Sequence, residues 1–445
     1  MRIELDIPLS LSEICAASGG VLECGDATIR HICTDSREVA RGDLFIAISG
    51  ERWDGNDFAR KVRERGGYVL GQKDASIYVS DTEAAMLSLA SLYRRRLPSL
   101  KHTVAITGSV GKTTTKELTA RILSAKYRVH TNLGNFNNSV GLLHTVLSAR
   151  RDTEVLIVEM GMNHSGEISR LSRAVMPDTA VITNVGTAHI GNLGSREAIA
   201  SAKLEICDGL RDGVLIVPYG EPLLRLGKTV SVGCDGGDFA LNIEKVDGDG
   251  SIFSFSGKDT ALNGAQVALV GTHLLTALAF AISIGEVCGL GEDDIRRGLS
   301  RIDPTCLRQK RMRVGRYDIY DDTYSSSPEA AIAVIMALTQ QSPAVSAVLG
   351  DMLELGDKCA ELHRKVGAVA AECGVRRLYL FGRFAEYVRE GALECGMPEE
   401  CIFVNAEGDL LKTANAIRRT YGGEALIVKA SHAVHAERLY DFLKD

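Results

Sequence analysis

The sequence lacks an excess of basic residues, a long apolar run and a recognisable export signal. With 51 basic and 57 acidic residues, its formal net charge is −6, which argues against a broad nucleic-acid footprint because such a surface must be positive. No stretch approaches the roughly 18 apolar residues of a membrane span. The N-terminal residues also lack the basic segment and apolar core of a signal peptide. These absences predict a cytoplasmic protein without a nucleic-acid partner or a membrane span.

The 11 cysteines are scattered and include no C-x-x-C pair. No metal-ligand spacing is present either, so they indicate packing cysteines in a reducing compartment and not a disulfide framework. The overall composition, 45% hydrophobic and 24% charged, is ordinary for a globular protein. A chain of 445 residues is too long for one hydrophobic core and predicts several domains.

Three patterns follow one another along the chain and predict three α/β domains. Residues 1–82 mix short strands with a basic helix, "DFARKVRERG". Residues 83–312 alternate apolar strands with helices, which predicts a doubly wound parallel sheet with ligands at the carboxyl ends of its strands. Residues 313–445 repeat the alternation on a smaller scale and predict a Rossmann-like domain.

The stretch "AITGSVGKTTTKE", residues 105–117, is close to a phosphate loop but shorter than the usual one. The G-x-x-x-x-G-K-[ST] pattern needs a glycine where Ile106 stands; here Gly108 and Gly111 give G-x-x-G-K-T instead. A strand before the glycines and a helix after them favour phosphate binding through free N–H groups and the helix dipole. Lys112 adds a positive charge, and the Thr113 hydroxyl can join a magnesium shell. The alternative is a glycine-rich turn before a surface helix.

Three further polar residues gain meaning only from this context. Glu159 ends the apolar strand "VLIVE" and is well placed to hold Mg²⁺. His189 lies in a glycine-rich loop after the next apolar strand, and Lys203 lies in the helix that follows. Taken singly, Glu159 and His189 are of kinds that are usually structural, and Lys203 would be a solvated surface lysine.

Taken in order, "TGSVGKTTTKE", "GNFNNSVG", "VEMG", "ITNVGTAHIGNLGS" and "AKLEI" resemble the ATPase domain of the Mur ligases, which make peptidoglycan precursors. "CTDSREVARGDLFIAISGERWDGNDF" resembles the uridine-nucleotide-binding segment of the member that adds D-alanyl-D-alanine. "VLGDMLELG", followed by His363, resembles a C-terminal motif of that member. The resemblance covers nearly the whole chain and implies an N-terminal substrate-binding domain, a central ATP-binding domain and a C-terminal ligase domain.

The resemblance also implies roles for individual residues. Ser36 and Arg37 would bind the uridine nucleotide. Lys112, Asn138, His189 and Lys203 would be catalytic, with Asn138 near the γ-phosphate. Two Mg²⁺ ions would be held by Thr113, Glu159, His189 and Lys203, the last as a carbamate. Arg311 would reach the phosphates on domain closure and Asp322 would contact the ribose, and the full nucleotide-binding set would be Gly108, Ser109, Val110, Gly111, Lys112, Thr113, Thr114, Arg311 and Asp322.

The implied reaction is an ATP-driven amide ligation by a monomeric, ADP-forming enzyme. The γ-phosphoryl group would pass to the carboxylate of a UDP-N-acetylmuramoyl-tripeptide, and the amine of D-alanyl-D-alanine would attack the acyl phosphate. The protein would contribute positioning and charge neutralisation.

Several positions depart from the family pattern, all on the adenine side or in the last domain. Leu274, Ser325 and Ser327 stand where asparagine is usual, and Lys310 stands where glycine often precedes the arginine. Ala430 and His432 alter the usual lysine-glycine-serine-arginine run. These departures leave open an active ligase, a paralogue using another amine, or a nucleotide-binding homologue that no longer ligates. The presence of Lys112, Glu159, His189 and Lys203 argues against the last. A P-loop kinase or GTPase would need a longer loop.

Overall fold

The computed structural model describes all residues except 51–52, 133, 135, 225–228, 235, 248–249, 304–309, 325, 343 and 445. The chain forms two compact units. The first contains Met1–Thr107, Leu123–Val181 and Lys203–Ile216, and the second contains Gly108–Ile122, Ile182–Ala202 and Val217–Asp445. Strands and helices alternate in both units, which confirms the predicted α/β class.

The N-terminal part of the first unit is a six-stranded mixed sheet with the strand order β1-β3-β4-β5-β6-β2. Residues Ile3, Leu5 and Leu9 of its first strand are buried, because alternate side chains of a strand point to the same face. The elements are β1 (Arg2–Ser10), α1 (Leu11–Ser18), β2 (Val21–Leu22), β3 (Thr28–Cys33), β4 (Leu44–Ile46), α2 (Ala59–Glu64), β5 (Tyr68–Gly71), β6 (Ile77–Tyr78) and α3 (Thr82–Arg96).

The segment that follows supplies parallel strands in the order β11-β10-β7-β9-β8. Every residue of the strand Val155–Glu159 is buried, as expected for a strand covered on both faces. The elements are β7 (His102–Thr107), α4 (Lys112–Leu123), β8 (Val129–Thr131), α5 (Ser139–Leu147), β9 (Val155–Glu159), α6 (Glu167–Val175), β10 (Thr179–Ile182), α7 (Ile190–Leu193), α8 (Arg196–Leu204) and β11 (Val214–Pro218).

The second unit contains four strands between the two strand–helix series, in the order β15-β14-β13-β12. Two antiparallel ladders join β13 to β14 and β14 to β15, whereas β12 pairs with β13 in parallel. Residues 229–299 lie in the predicted central domain, but the sequence patterns did not locate individual strands or helices there. The elements are β12 (Thr229–Cys234), β13 (Phe239–Asp247), β14 (Gly250–Ser256), β15 (Ala261–Val267), α9 (Thr272–Val287) and α10 (Glu292–Leu299).

The C-terminal sheet has six strands in the order β16-β17-β21-β18-β19-β20. Its first pair is antiparallel and the other ladders are parallel. The elements are β16 (Lys310–Val314), β17 (Tyr317–Asp322), α11 (Pro328–Gln341), β18 (Val345–Leu349), α12 (Cys359–Glu372), β19 (Leu378–Phe381), α13 (Ala385–Glu394), β20 (Ile402–Asn405), α14 (Leu410–Thr420), β21 (Ala425–Lys429) and α15 (Leu439–Leu443).

Two expectations from composition can be compared with this fold. In the part of the chain that is described, no helix is long and apolar enough to cross a membrane. The cysteines in the described part of the chain are free thiols; Cys33 and Cys288 are buried, and Cys395 is exposed. Cys306 lies outside the described residues.

Candidate active site

The predicted phosphate loop is a tight turn, Gly108–Gly111, between the end of β7 and the start of α4. Both glycines are required by the backbone. Gly108 has φ +150°, and a Cβ atom there would lie 1.9 Å from Thr183 Oγ1. Gly111 has φ +81°, in the left-handed region that glycine adopts without steric cost. The predicted strand, shortened turn and helix are therefore confirmed.

The lysine of the turn folds back over it. Lys112 Nζ donates to the Gly108 carbonyl at 2.7 Å, which keeps its positive charge at the mouth of the turn. Thr113 is buried at 6% exposure. The first N–H groups of a helix have no intrahelical acceptor, so the first turn of α4 combines amide donors, a cation and a hydroxyl at one point.

The segment that follows β10, residues 183–187, holds the phosphate loop. Ser109 N–H donates to the Asn184 carbonyl at 3.2 Å, and Val110 N–H donates to Asn184 Oδ1 at 2.8 Å. The Thr183 hydroxyl donates to the Val110 carbonyl at 2.6 Å, and Gly186 N–H donates to Ser109 Oγ at 2.9 Å. These four hydrogen bonds join residues 183–187 to Ser109 and Val110 of the turn.

A cavity of about 470 Å³ opens in front of this turn. Three parts of the second unit form its wall: the phosphate loop with the residues that hold it, one face of α9, and residues around β17 and the start of α11. The lining residues are Ser109, Val110, Gly111, Lys112, Thr113, Thr114, Thr115, Thr183, Asn184, Pro218, His273, Thr276, Ala277, Phe280, Asp322, Ser327, Glu329, Ala330, Ala333 and Lys429. The cavity therefore brings Asp322 together with most of the predicted phosphate-binding residues.

The C-terminal wall of the cavity carries two carboxylates and a buried amine. Lys429, at 1% exposure, donates to Asp322 Oδ2 at 2.7 Å. Glu329 Oε1 accepts the Thr187 N–H at 2.6 Å, so the first turn of α11 is bonded to the segment that holds the phosphate loop. Glu329 Oε2 is buried and has no hydrogen-bond partner among the described residues. The sequence analysis did not single out Glu329 or Lys429.

Glu159 is placed by its own strand in the first unit. It pairs in register with Ile106 of β7, two residues before Gly108 in the chain, and its side chain is only 2% exposed. Asn137 Nδ2 donates to Glu159 Oε1 at 3.0 Å. The neighbouring Asn138, the predicted catalytic residue, caps α5 by accepting the Gly141 N–H at 2.9 Å. The sequence predicted a role for Asn138, but it did not predict that Asn137 would donate a hydrogen bond to Glu159.

Lys203 is buried at 1% exposure near the end of α8, where its sequence alone suggested a solvated lysine. His189 has a left-handed backbone, φ +66°, and its Nδ1 lies 2.5 Å from Glu354 Oε2. Glu354 also has a positive φ, +64°. The loop "VLGDMLELG" therefore contacts the predicted metal ligand His189.

The remaining predicted residues lie on loops and edges. Arg37 is exposed after β3 and forms a bidentate pair with Asp35, in which Nε donates to Oδ1 and a terminal nitrogen donates to Oδ2; this hydrogen-bonded pairing lowers the pKa of Asp35. Ser36 is half-buried in the same loop. Arg311 does not line the cavity; it pairs with Asp318 on β17 at 2.7 Å, and that hydrogen bond raises the pKa of Arg311.

The departures from the family pattern have distinct surroundings. Leu274 is half-buried on α9 and is not part of the cavity wall, although His273 is. Ser327 caps α11 by accepting the Ala330 N–H at 3.3 Å. Ala430 is fully buried, and His432 stacks on Tyr324 with ring centres 5.4 Å apart. Lys310 begins β16, and Ser325 lies outside the described residues.

Three family profiles match the chain in succession. They are described as the Mur ligase family catalytic domain (residues 28–106), the Mur ligase middle domain (residues 106–285) and the Mur ligase glutamate ligase domain (residues 308–432). A UDP-N-acetylmuramoyl-tripeptide--D-alanyl-D-alanine ligase of Bacillus subtilis is 36% identical over 434 residues, which cover 93% of each chain.

Solved structures resemble the fold over its full length. MurF from Acinetobacter baumannii superposes with a TM-score of 0.88 at 28% identity and covers 100% of both chains. MurF ligase from Thermotoga maritima in complex with ADP superposes with a TM-score of 0.79 at 29% identity, covering 93% of this chain and 96% of its own.

Proposed function

The chain belongs to the Mur ligase family, and we propose that it joins D-alanyl-D-alanine to a UDP-N-acetylmuramoyl-tripeptide with conversion of ATP to ADP and phosphate. The observation that carries this proposal is the cavity in which the phosphate loop meets Asp322, Lys429 and Glu329. The chain as a whole is similar to relatives that are named for this activity, which supports the tripeptide and the dipeptide as its two substrates. The reaction belongs to peptidoglycan precursor synthesis.

The nucleotide occupies the cavity with its phosphates on the phosphate loop. Lys112 and the N-terminal dipole of α4 offset the phosphate charge. Asp322, held by Lys429 at 2.7 Å, accepts hydrogen bonds from the ribose. The apolar side chains Ala277 and Phe280 of α9 give the base an uncharged wall.

The donor atoms available to magnesium are hard oxygen ligands. Thr113 contributes a hydroxyl and Glu159 a carboxylate, and both side chains are buried. Among the described residues no group of three or more His, Cys, Asp or Glu side chains could hold a metal alone. The hydroxyl of Thr113 and the carboxylate of Glu159 suit Mg²⁺, which binds through one or two carboxylates together with substrate phosphates. When bound, the ion neutralises charge on the phosphate oxygens.

The chemistry proceeds in two steps at the tripeptide carboxylate. Its oxygen attacks the γ-phosphorus, the bond to the β,γ-bridging oxygen breaks, and ADP leaves with the electron pair. The uncharged amine of D-alanyl-D-alanine then attacks the acyl carbon, and phosphate leaves as the amide forms and the amine loses a proton. Lys112 and the amides of α4 hold the transferring phosphoryl group in place, and exclusion of water protects the acyl phosphate.

Lys203 is modified to a carbamate in this proposal. The neutral form of its amine adds CO₂ and loses a proton. The product is an anion with two oxygen atoms, suited to a second Mg²⁺ ion together with His189. Asn138 lies near the γ-phosphate as well as capping α5.

Several finer assignments remain part of the proposal. The domains are residues 1–82, 83–312 and 313–445, with Ser36 and Arg37 on the uridine nucleotide. Arg311 exchanges Asp318 for the phosphates when the domains close. The enzyme acts as a monomer in the cytoplasm.

The test is a ligation assay with the purified protein. ATP, a UDP-N-acetylmuramoyl-tripeptide and D-alanyl-D-alanine should release phosphate and give a product whose mass has grown by the dipeptide less one water. Omission of either the tripeptide or the dipeptide should abolish phosphate release. A panel of other amines tests the departures at Ala430 and His432, since preference for another amine would replace the substrate assignment. Phosphate release without any amide product would contradict ligation.

A further inference from the structure

Asn184 makes two contacts with consecutive amides of the phosphate loop. Its carbonyl accepts the Ser109 N–H at 3.2 Å, and its side-chain Oδ1 accepts the Val110 N–H at 2.8 Å. A backbone amide can only donate, so the oxygen of the Asn184 side chain must face the loop and its NH₂ group must face away. The orientation of this amide is therefore set by chemistry.

These bonds divide the amides of the loop into two sets. The N–H groups of Ser109 and Val110 are engaged by Asn184 and hold the turn, so they are not available to a phosphate. The first turn of α4, which begins at Lys112, supplies a second set of N–H groups next to the turn. Helix N-terminal amides are the usual anion donors of such a turn.

We propose that Asn184 is the positioning residue of the phosphate loop. It fixes the amides of Ser109 and Val110, and through them it directs Lys112 and the first turn of α4 into the cavity. Asn184 acts without forming a bond to the reacting atoms. The inference rests on the proposed function only in taking a nucleotide as the ligand of this cavity.

The experiment compares two ligands that differ in their phosphates. Binding of ADP and of adenosine is measured by titration calorimetry for the parent and for Asn184→Ala. We expect ADP to bind about tenfold more weakly, the effect of one hydrogen bond of about 1.4 kcal/mol. Adenosine, which does not reach the loop, should bind within about twofold of the parent. A merely destabilised protein would lose affinity for both ligands together.

A matched control is Asn405→Ala, which removes a side-chain amide that donates to the Asp409 carbonyl and to Thr413 Oγ1 outside this cavity. Its affinities should equal those of the parent. If Asn184→Ala does not fold, Thr183→Val removes the hydroxyl that donates to the Val110 carbonyl and should weaken ADP binding about threefold. An ADP affinity within twofold of the parent in the folded variant, or a parallel loss for adenosine, overturns the proposal. Calorimetry needs no ligation, so a failed amide assay leaves this test intact.

Discussion

At the scale of single residues, neighbours in the sequence have separate tasks. Asn137 donates to Glu159, whereas Asn138 accepts from Gly141 at the start of α5. Asn138 has an extended backbone, φ −104° and ψ −176°, and successive side chains of extended chain point to opposite sides. A pair of asparagines can therefore be recognised from the sequence, but which one reaches the carboxylate depends on the path of the backbone.

Lys203 offers a test of the carbamate. Lys203→Ala should lower kcat by at least about 100-fold, because the anion that the modified lysine supplies is lost. Added formate or acetate should restore part of the activity by placing a carboxylate in the vacated space. Lys203→Arg keeps a positive charge but cannot add CO₂, so it should be inactive and should not respond to the acids. Full turnover by either variant would contradict a carbamate.

Glu329 is expected to act through its hydrogen bond to Thr187. Glu329→Ala should lower kcat/KM for ATP about tenfold, because a charge-assisted bond of 2.6 Å is lost. Glu329→Gln keeps an oxygen that can accept the same N–H and should remain within about threefold of the parent. Steady-state kinetics with varied ATP measure both values. Equal losses in the two variants would show that the charge matters and not the acceptor.

At the scale of elements, the start of α11 explains why one family departure is tolerated. Ser327 takes the place of asparagine and caps the helix through Ala330 N–H. Serine and asparagine are similar N-caps, and loss of a cap costs about 1 kcal/mol. Ser327→Ala should therefore lower the free energy of unfolding by about that amount, and Ser327→Asn should change it by less than about 0.5 kcal/mol. Urea denaturation measures both; a large loss with asparagine would mean that the serine has another role.

His363 links α12 to the loop before it and should make the stability depend on pH. Met352 N–H donates to Nε2 at 3.2 Å, and burial lowers the pKa of His363 despite its bonding to the Cys359 carbonyl and the nearby Asp351. The folded state thus binds this proton less readily than the unfolded state, whose pKa is about 6.5. Stability should be complete above that pH and should fall as the pH drops below it.

The measurement is the melting temperature at pH 7.5 and at pH 5.0. His363→Gln, whose side-chain oxygen can accept the Met352 N–H, should lose less on acidification than the parent does. His130, whose pKa is also lowered by burial, contributes equally to both proteins. An identical acid dependence in parent and variant would contradict the assignment to His363.

The elements that the sequence predicts are those with a single strong signal. β7 and β9 are continuous apolar runs that end in polar residues, and α4 follows glycines. β1 has an alternating pattern but contains Pro8, which argues against a strand; the structure tolerates it because β1 lies at an edge of its sheet. The antiparallel strands β13 to β15 are half-exposed, and their short alternation carries less information than a buried run.

At the scale of the whole molecule, the candidate site is assembled from segments far apart in the sequence. The glycine spacing after an apolar strand predicted the phosphate loop, and the family resemblance implied Asp322. Neither predicted Asn184, Glu329 or Lys429, whose importance comes from contacts across 74 residues or more. Such contacts depend on how helices pack at the ends of the sheets, which motif order and periodicity do not indicate.

This assembly predicts a distributed response to nucleotide. ADP should slow amide hydrogen exchange in peptides that cover residues 108–115, 183–187, 272–280 and 327–333, because all four contribute to one cavity wall and bound ligand suppresses local opening. Peptides from α1, which has its own capping box at Ser10 and Glu13, serve as the internal control and should not change. Protection confined to residues 108–115 would show that ADP binds the phosphate loop alone, and the cavity would then not be the nucleotide site. Protection of all four segments in the parent, with a selective loss at 108–115 in Asn184→Ala, would place the loop and the C-terminal wall in one binding site and Asn184 in control of its phosphate end.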